Sequence, residues 1–353
     1  MRVPKKPSGK SSRSVVGLDI EPGHVAAVEV HQNGQLTVAR SATAPLGPGL
    51  VRDGEVTDVD ELAAALKALW AAHKLPKRVR LGVANQRIVV RTIDLPPVTD
   101  RKELDAAVRF SAQEQIPMPL EQAVLEYQPL GIVDTPDGPR HRAVIVAARR
   151  DMIERHLAAA RGAGLRPEGI DLSAFALIRA LHLPGTEGPV LYLSVGGMTN
   201  LALADQGTCR FTRVVPGGTE LMAQELAERR GLTLDHAHGW LRHVGLTTEL
   251  EQVNGDRDIV EESRAVLVEG VRRVGDEVRN SLDFYRMQGA GPAVDRVVMT
   301  GPAAAIPGFS TALSGEIGVS VDARSIPLTE PDEARDTSRL TVAAGLAVQE
   351  LSA

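Results

Sequence analysis

Two stretches of this chain are written in the same grammar, and that repetition limits the possible folds more than any single motif does. Residues 14–30, SVVGLDIEPGHVAAVEV, read as two β-runs around a Gly-bearing turn, and Asn33-Gly34 then turns the chain into Gln35 to Arg40. Pro189 to Ala204, PVLYLSVGGMTNLALA, is followed by Asp205-Gln206-Gly207 and a strand through Thr208 to Val215. Setting Asp19 beside Ser194 brings the two hairpins into register. A doubled β-meander in a chain of 353 residues, longer than one core usually needs, predicts a duplicated fold.

Helical and strand segments alternate between and after the two meanders. Asp60 to His73 carries Leu62, Leu66, Leu69 and Trp70 on one helix face, and Leu75-Pro76 ends it. Arg78 to Leu95 alternates as strands, with Asn85-Gln86 placed as a hairpin turn. Thr99 or Asp100 caps a helix bearing Leu104, Val108 and Phe110, and two more strands and the helix Asp151 to Ala163 follow. The segment from 78 to about 170 therefore reads as a small α+β unit. Later, Gly217-Gly218-Thr219 heads an amphipathic helix, and Val260 to Gln288 reads as one long helix. Asp295 to Thr300 reads as a buried strand before Gly301-Pro302, and Leu340 to Leu351 as a terminal helix.

Aromatic residues make up only 3% of the chain, so no platform for stacking bases is visible, and the net charge of −5 with interspersed signs gives no footprint for duplex DNA. Nucleic acid is thus not an expected partner. Residues 1–14 hold Arg2, Lys5, Lys6, Lys10 and Arg13 without an acid and read as a flexible basic arm. Such an arm can be drawn to anionic lipid head groups by about 1 kcal/mol per charge. No apolar run follows it as in a signal peptide, and no run of about 18 apolar residues could span a bilayer, so a cytosolic protein is expected. Cys209, the single cysteine, excludes an internal disulfide and reads as a packed thiol. His236 and His238 lie two apart and make no metal-ligand pattern. Glu114 and Glu126 read as solvated or partner-facing charges.

A nucleotide needs backbone donors that approach its phosphates closely, which glycine permits, and a carboxylate or hydroxyl to hold a hydrated Mg²⁺. The first hairpin offers Asp19 with Gly23, and the second offers Gly196, Gly197, Thr199 and Asn200. Each alone is an ordinary β-turn. Their repetition, with Gly217-Gly218 heading a helix and Gly301 after a buried strand, points to a phosphate site.

Residues 15 to 351 resemble the PilM family of actin-like proteins of type IV pilus assembly. The resemblance rests on IDLPPVTDRKELDAAVRFSAQEQIPMPLEQAVLEYQPLG (Ile93 to Gly131) and RAVIVAARRDMIERHLAAARGAGLRPEGIDLSAFALIRAL (Arg142 to Leu181). It rests further on VRNSLDFYRMQG (Val278 to Gly289), VVMTGPAAAIPGF (Val297 to Phe309) and VAAGLAVQE (Val342 to Glu350). It implies an α/β fold of the duplicated actin-like (RNase H-like) two-lobe type, with an inserted α+β (SHS2-like) subdomain, as in the cell-division protein FtsA. The implied organisation is a tail at 1–14, a first lobe at 15–77, the insert at 78–170 and a return to the first lobe at 171–188. A second lobe at 189–339 and a C-terminal helix at 340–353, packed back on the first, complete it.

The resemblance also implies ATP with Mg²⁺ between the lobes. Asp19 would be the metal-side carboxylate; Gly23, Ser194, Gly196, Gly197, Thr199, Asn200, Gly217 and Gly218 would lie about the phosphates and ribose; Arg279, Ser281 and Gly301 would flank the adenosine. It implies binding of the cytoplasmic N-terminal peptide of a PilN-like membrane protein at a groove involving the insert. That contact would tie the PilN and PilO inner-membrane platform to pilus motor components at the cytoplasmic face of the inner membrane. Dimers, rings and filaments all stay open. Three departures from the family pattern weaken the nucleotide expectation: Glu21-Pro22 replaces Gly-Ser in the first hairpin, Ser194 replaces Asp at the start of the second, and Pro302 replaces the second Gly of the adenosine-side turn. A scaffold with little or no turnover is therefore favoured over an active ATPase that couples hydrolysis to lobe motion. A small-molecule kinase of the same fold is the third reading.

Overall fold

The computed structural model describes residues 14–348, apart from 34, 99, 137, 288–292 and 331–336. The basic arm lies outside the described residues except for Ser14, as do Thr99 and the end of the expected terminal helix.

The first meander forms as read: β1 (Val16–Glu21), β2 (His24–Asn33) and β3 (Gln35–Pro45) pair antiparallel. A small ribbon, β4 (Val51–Arg52) with β5 (Glu55–Val56), leads to α1 (Val59–His73). The Asp58 carboxylate starts this helix by accepting the Asp60 and Glu61 N–H groups. Leu62, Leu66, Leu69 and Trp70 form its buried stripe, and Lys74, in the left-handed region at φ 52°, ends it. β6 (Arg78–Val83) then lies parallel to β1.

The chain leaves this sheet at Asn85. The Asn85 side chain accepts the Arg87 N–H in a local turn, yet β6 and the next strand, β7 (Val89–Leu95), belong to different sheets, so the hairpin expected at Asn85-Gln86 does not form. A separate three-stranded sheet of order β7-β9-β8 is built with β8 (Ala123–Thr135) and β9 (Gly138–Arg149). Between β7 and β8 in sequence comes α2 (Arg101–Gln115), capped by Asp100 and packed through Val108 and Ala112 onto Ile93, Leu95 and Ile145. After α3 (Arg150–Gly162), β10 (Arg166–Leu172) returns parallel to β6. The insert is thus narrower than 78–170. Residues 78–83 and 166–172 are strands of the first sheet, and α3 buries Ala159 and Ala160 in the same core as Leu62 and Leu66 of α1. A periodicity argument could not see this, because strand character is independent of which sheet a strand joins.

Beyond α4 (Ser173–Leu181), the second meander is β11 (Pro189–Val195), β12 (Met198–Asp205) and β13 (Thr208–Pro216). α5 (Thr219–Arg230) and α6 (Leu234–Val244) follow, and then α7 (Arg257–Met287), 31 residues long and opened by Asp256, whose carboxylate accepts the Asp258 and Ile259 N–H groups. β14 (Arg296–Thr300) runs parallel to β11, and α8 (Phe309–Ile317), β15 (Ser320–Ala323) and α9 (Thr341–Ala347) complete the described chain. The two large sheets have orders β10-β6-β1-β2-β3 and β13-β12-β11-β14-β15. Each is a meander extended by two parallel strands on its first-strand side, so the repeat seen in two hairpins extends to whole sheets.

Helices α4 and α9 lie between the sheets. Their Ala176, Leu177, Ala343, Ala344 and Leu346 share one core with Ala26 and Val28 of the first sheet and Tyr192, Ala202 and Val298 of the second. Glycine makes the packing possible. A Cβ on Gly17 would stand 1.8 Å from the Ala343 carbonyl oxygen, and one on Gly345 would stand 1.9 Å from that of Ala176. Gly345→Ala is therefore expected to destabilise the protein by about 3 kcal/mol, read as a lower urea midpoint. Gly315→Ala, at a position with open space, should leave that midpoint unchanged or slightly higher.

Candidate functional site

The sheet duplication turns the tips of the two hairpins, Pro22-Gly23 and Gly196-Gly197, toward each other. Their contact is reciprocal. Glu21, the last residue of β1, extends its carboxylate into the second tip, where Oε2 accepts the Gly197 N–H at 3.0 Å. A Cβ on Gly196 would meet that same oxygen at 2.6 Å, and one on Gly197 would meet the Pro22 carbonyl oxygen at 2.4 Å. In return Glu220, in the first turn of α5, brings its carboxylate against Gly23, whose added Cβ would lie 2.6 Å from it. Glu220 is buried and paired with the His238 Nε2 at 2.9 Å.

The glycines after β13 complete the junction. Gly217 takes φ 85°, which favours glycine, and its carbonyl accepts the Thr199 hydroxyl at 2.9 Å. Gly218 is needed for a close approach, since a Cβ there would stand 2.4 Å from the Gly196 oxygen. That oxygen also accepts the Thr219 hydroxyl and the Glu220 N–H. Gly301, at φ 88°, packs against the end of β11, where its Cβ would meet the Val195 carbonyl oxygen at 2.8 Å and the Ser194 Oγ at 3.1 Å.

Asp19 lies on the same side of β1 as Glu21, two residues away, and is 7% exposed. The Ser173 hydroxyl at the start of α4 donates to its Oδ1 at 3.5 Å. Burial pushes the Asp19 carboxyl well above the usual carboxylate range; the charge of Glu21 adds to the rise and Ser173 opposes it. Burial raises Glu21 as well, against the Gly197 N–H and the charge of Arg339, while Glu220 reinforces the rise.

The structure thus brings together Asp19, Gly23, Ser194, Gly196, Gly197, Thr199, Gly217, Gly218 and Gly301. Three expected residues are elsewhere. Asn200 faces the far side of β12, toward a cavity of about 830 Å³ that Arg87, Met118, Arg149 and Thr212 also line. Arg279 is tied to the Glu316 carboxylate at 2.9 Å and to Asp276, on a patch of α7 and α8 holding none of the hairpin residues. Ser281 is buried and donates to the Glu277 carbonyl within α7. Sequence reasoning missed Glu220 and His238; an acid in the first turn after Gly-Gly was the available signal, because it satisfies the helix N-terminus that an anionic ligand would otherwise use.

At the hairpin tips these residues do not fit a phosphate with Mg²⁺ in this arrangement, although a cavity of about 230 Å³ lined by Thr199, Gly217, Gly218 and Arg273 lies beyond them. The Gly197 N–H already has its anion. On the Gly301 side only about 20 Å³ is open between Thr219, His238, Pro302 and Arg339, against the several hundred Å³ of ordinary ligand pockets. A cavity of about 310 Å³ touches Gly23, Gly197 and Gly217, but its wall carries the Glu220 and Asp53 carboxylates. Among the described residues, no three His, Cys, Asp or Glu side chains converge to hold a metal. Cys209 is a packed thiol whose pKa is pushed up to about 12 by burial.

Comparison with known proteins agrees with the topology. Residues 17–351 match the family model described as type IV pilus assembly protein PilM. The chain belongs to the PilM family. A solved structure titled as a PilM-PilN type IV pilus biogenesis complex is 26% identical, with TM-score 0.74 over 95% of this chain and 97% of that one. The ethanolamine utilization protein EutJ from Carboxydothermus hydrogenoformans is 17% identical (TM-score 0.55; 96% and 91% covered). MreB5 of Spiroplasma citri, solved bound to ADP, is 13% identical (TM-score 0.55; 95% of each chain covered). The fold of this PilM-family chain is therefore the actin-like one expected.

The raised Asp19 carboxyl has a stability consequence. The folded protein keeps this proton above pH of about 4, where the unfolded chain loses it, so stability falls as pH rises between the two values. Asp19→Asn, which mimics the protonated form, is expected to raise the melting temperature at pH 7. The gain should vanish as pH falls below about 4; an equal effect at every pH would contradict burial as the cause.

Proposed function

We propose that this PilM-family protein is an adaptor of the type IV pilus inner-membrane complex, binding the N-terminal peptide of a PilN-like protein and not turning over ATP. The observation that carries this reading is the match, over nearly the full length of both chains, to a PilM solved in a PilN complex. The cavity of about 830 Å³ beside the insert supports it as the docking place. Two strands that border the cavity, β7 and β13, are outer strands of their sheets and can pair with an extended peptide. Ile88, Pro117, Met118 and Val215 provide apolar contact. Asn200 adds a buried side-chain oxygen with no donor among the described residues.

Through such a peptide the protein would sit at the cytoplasmic face of the inner membrane beneath the PilN and PilO platform and within reach of motor components. No helix among the described residues is long and apolar enough to cross a membrane, so attachment would come from the partner. ATP with Mg²⁺, implied by the family resemblance, is not carried into this role, because Glu21 holds the donor that a phosphate would need.

Calorimetric titration with a synthetic PilN-like N-terminal peptide should give saturable binding. Thr212→Trp, which narrows the cavity, should weaken it about tenfold, whereas Met287→Ala on an exposed surface (86% accessible) should not. Absence of peptide binding would overturn the adaptor reading. Phosphate release from ATP should stay below the ordinary enzyme range, which begins at about 1 s⁻¹.

A further inference from the structure

A phosphate site of this kind works by leaving backbone N–H groups unpaired at glycine turns and at a helix start, so that an anion completes them. Here an anion of the chain itself is already there. We propose that Glu21 acts as a built-in substitute for a phosphate, latching the two lobes in the closed arrangement with no nucleotide and excluding nucleoside triphosphates from the cleft. This inference concerns the hairpin junction and does not depend on the peptide-binding reading.

Three independent features of the junction carry it. The Glu21 Oε2 takes the Gly197 N–H at 3.0 Å, a charge-assisted bond that crosses from one lobe to the other. The same oxygen fills the space above Gly196 that the absence of a side chain opens, 2.6 Å from where a Cβ would be. Glu220 makes the reverse approach, its carboxylate against Gly23 of the first lobe and held there by His238 at 2.9 Å. Each lobe therefore places a carboxylate on the glycine turn of the other. A triphosphate entering between them would have to displace Glu21 and would then face the negative charge of Glu220, so space, donors and electrostatics all oppose it. Arg339, whose charge favours the ionised Glu21 carboxylate, stands beside Pro302 and Thr219.

A latch of this kind is fixed by sequence, whereas a nucleotide latch opens when the ligand leaves. The expected behaviour is a protein that stays closed whatever the cellular ATP level. The experiment compares the full chain with Glu21→Ala, which removes the anion, and with Glu21→Gln, whose amide oxygen can still accept the Gly197 N–H. Titration with ATP and Mg²⁺, followed by a fluorescent ATP analogue, should show no saturable binding up to about 1 mM for the parent protein, the upper end of ordinary ligand affinities. Glu21→Gln should behave alike, and Glu21→Ala should gain binding by at least about tenfold.

Amide hydrogen exchange gives the second readout. The Gly197 N–H should be protected in the parent and in Glu21→Gln and should exchange faster in Glu21→Ala, with protection restored by ATP and Mg²⁺. Parent protein that binds ATP as tightly as Glu21→Ala would overturn the proposal. So would a Gly197 amide that exchanges in the parent as fast as one in an exposed loop, a result readable even if Glu21→Ala does not fold. Loss of peptide binding with the exchange pattern intact would count against the adaptor role alone.

Discussion

The structure depends on how closely two short helices pack between two sheets. α4 and α9 supply the apolar layer shared by both lobes, and they lie near enough that Gly17 and Gly345 leave no room for a methyl group against the facing carbonyls. This contact sets the lobe separation. Because each sheet starts from the same meander, fixing the distance between β1 and β11 also fixes the distance between the hairpin tips. The direct contact of Glu21 with Gly197 follows from that spacing.

The tips meet through carboxylates, which is costly in a buried setting unless each finds a partner. The partners differ. Glu21 has a backbone N–H and the field of Arg339, Glu220 has His238, and Asp19 has the Ser173 hydroxyl at 3.5 Å. Burial pushes the Asp19 carboxyl well above the usual carboxylate range and raises Glu21 as well. The Gly197 N–H at the second hairpin tip is met inside the chain, by the Glu21 carboxylate.

Much of this is legible in the sequence. The duplication could be seen in the two hairpins, and Glu21, Ser194 and Pro302 marked the three loops where the phosphate chemistry departs from the family pattern. The helix stripe of α1 follows from local periodicity, which neighbouring residues decide, whereas α2 buries Val108 with Ala112 and leaves the expected Phe110 exposed. The insert boundary was not legible, because strands at 78–83 and 166–172 look alike whether they join the first sheet or a separate one. The resemblance implies Arg279 and Ser281 at the adenosine, and the structure ties Arg279 to Glu316 across α7 and α8.

The sequence alone determined which segments become strands and helices, the repeat that pairs β1 with β11, and the presence of a carboxylate at the tip of the first hairpin. These properties depend on residues a few positions apart. Only the tertiary structure decided that the Glu21 carboxylate reaches Gly197, that Glu220 returns the contact to Gly23, and that Asn200 faces a cavity beside the insert. Those outcomes join residues far apart in the chain, and their distances are set by the glycine-tight packing of α4 and α9, which no local pattern encodes.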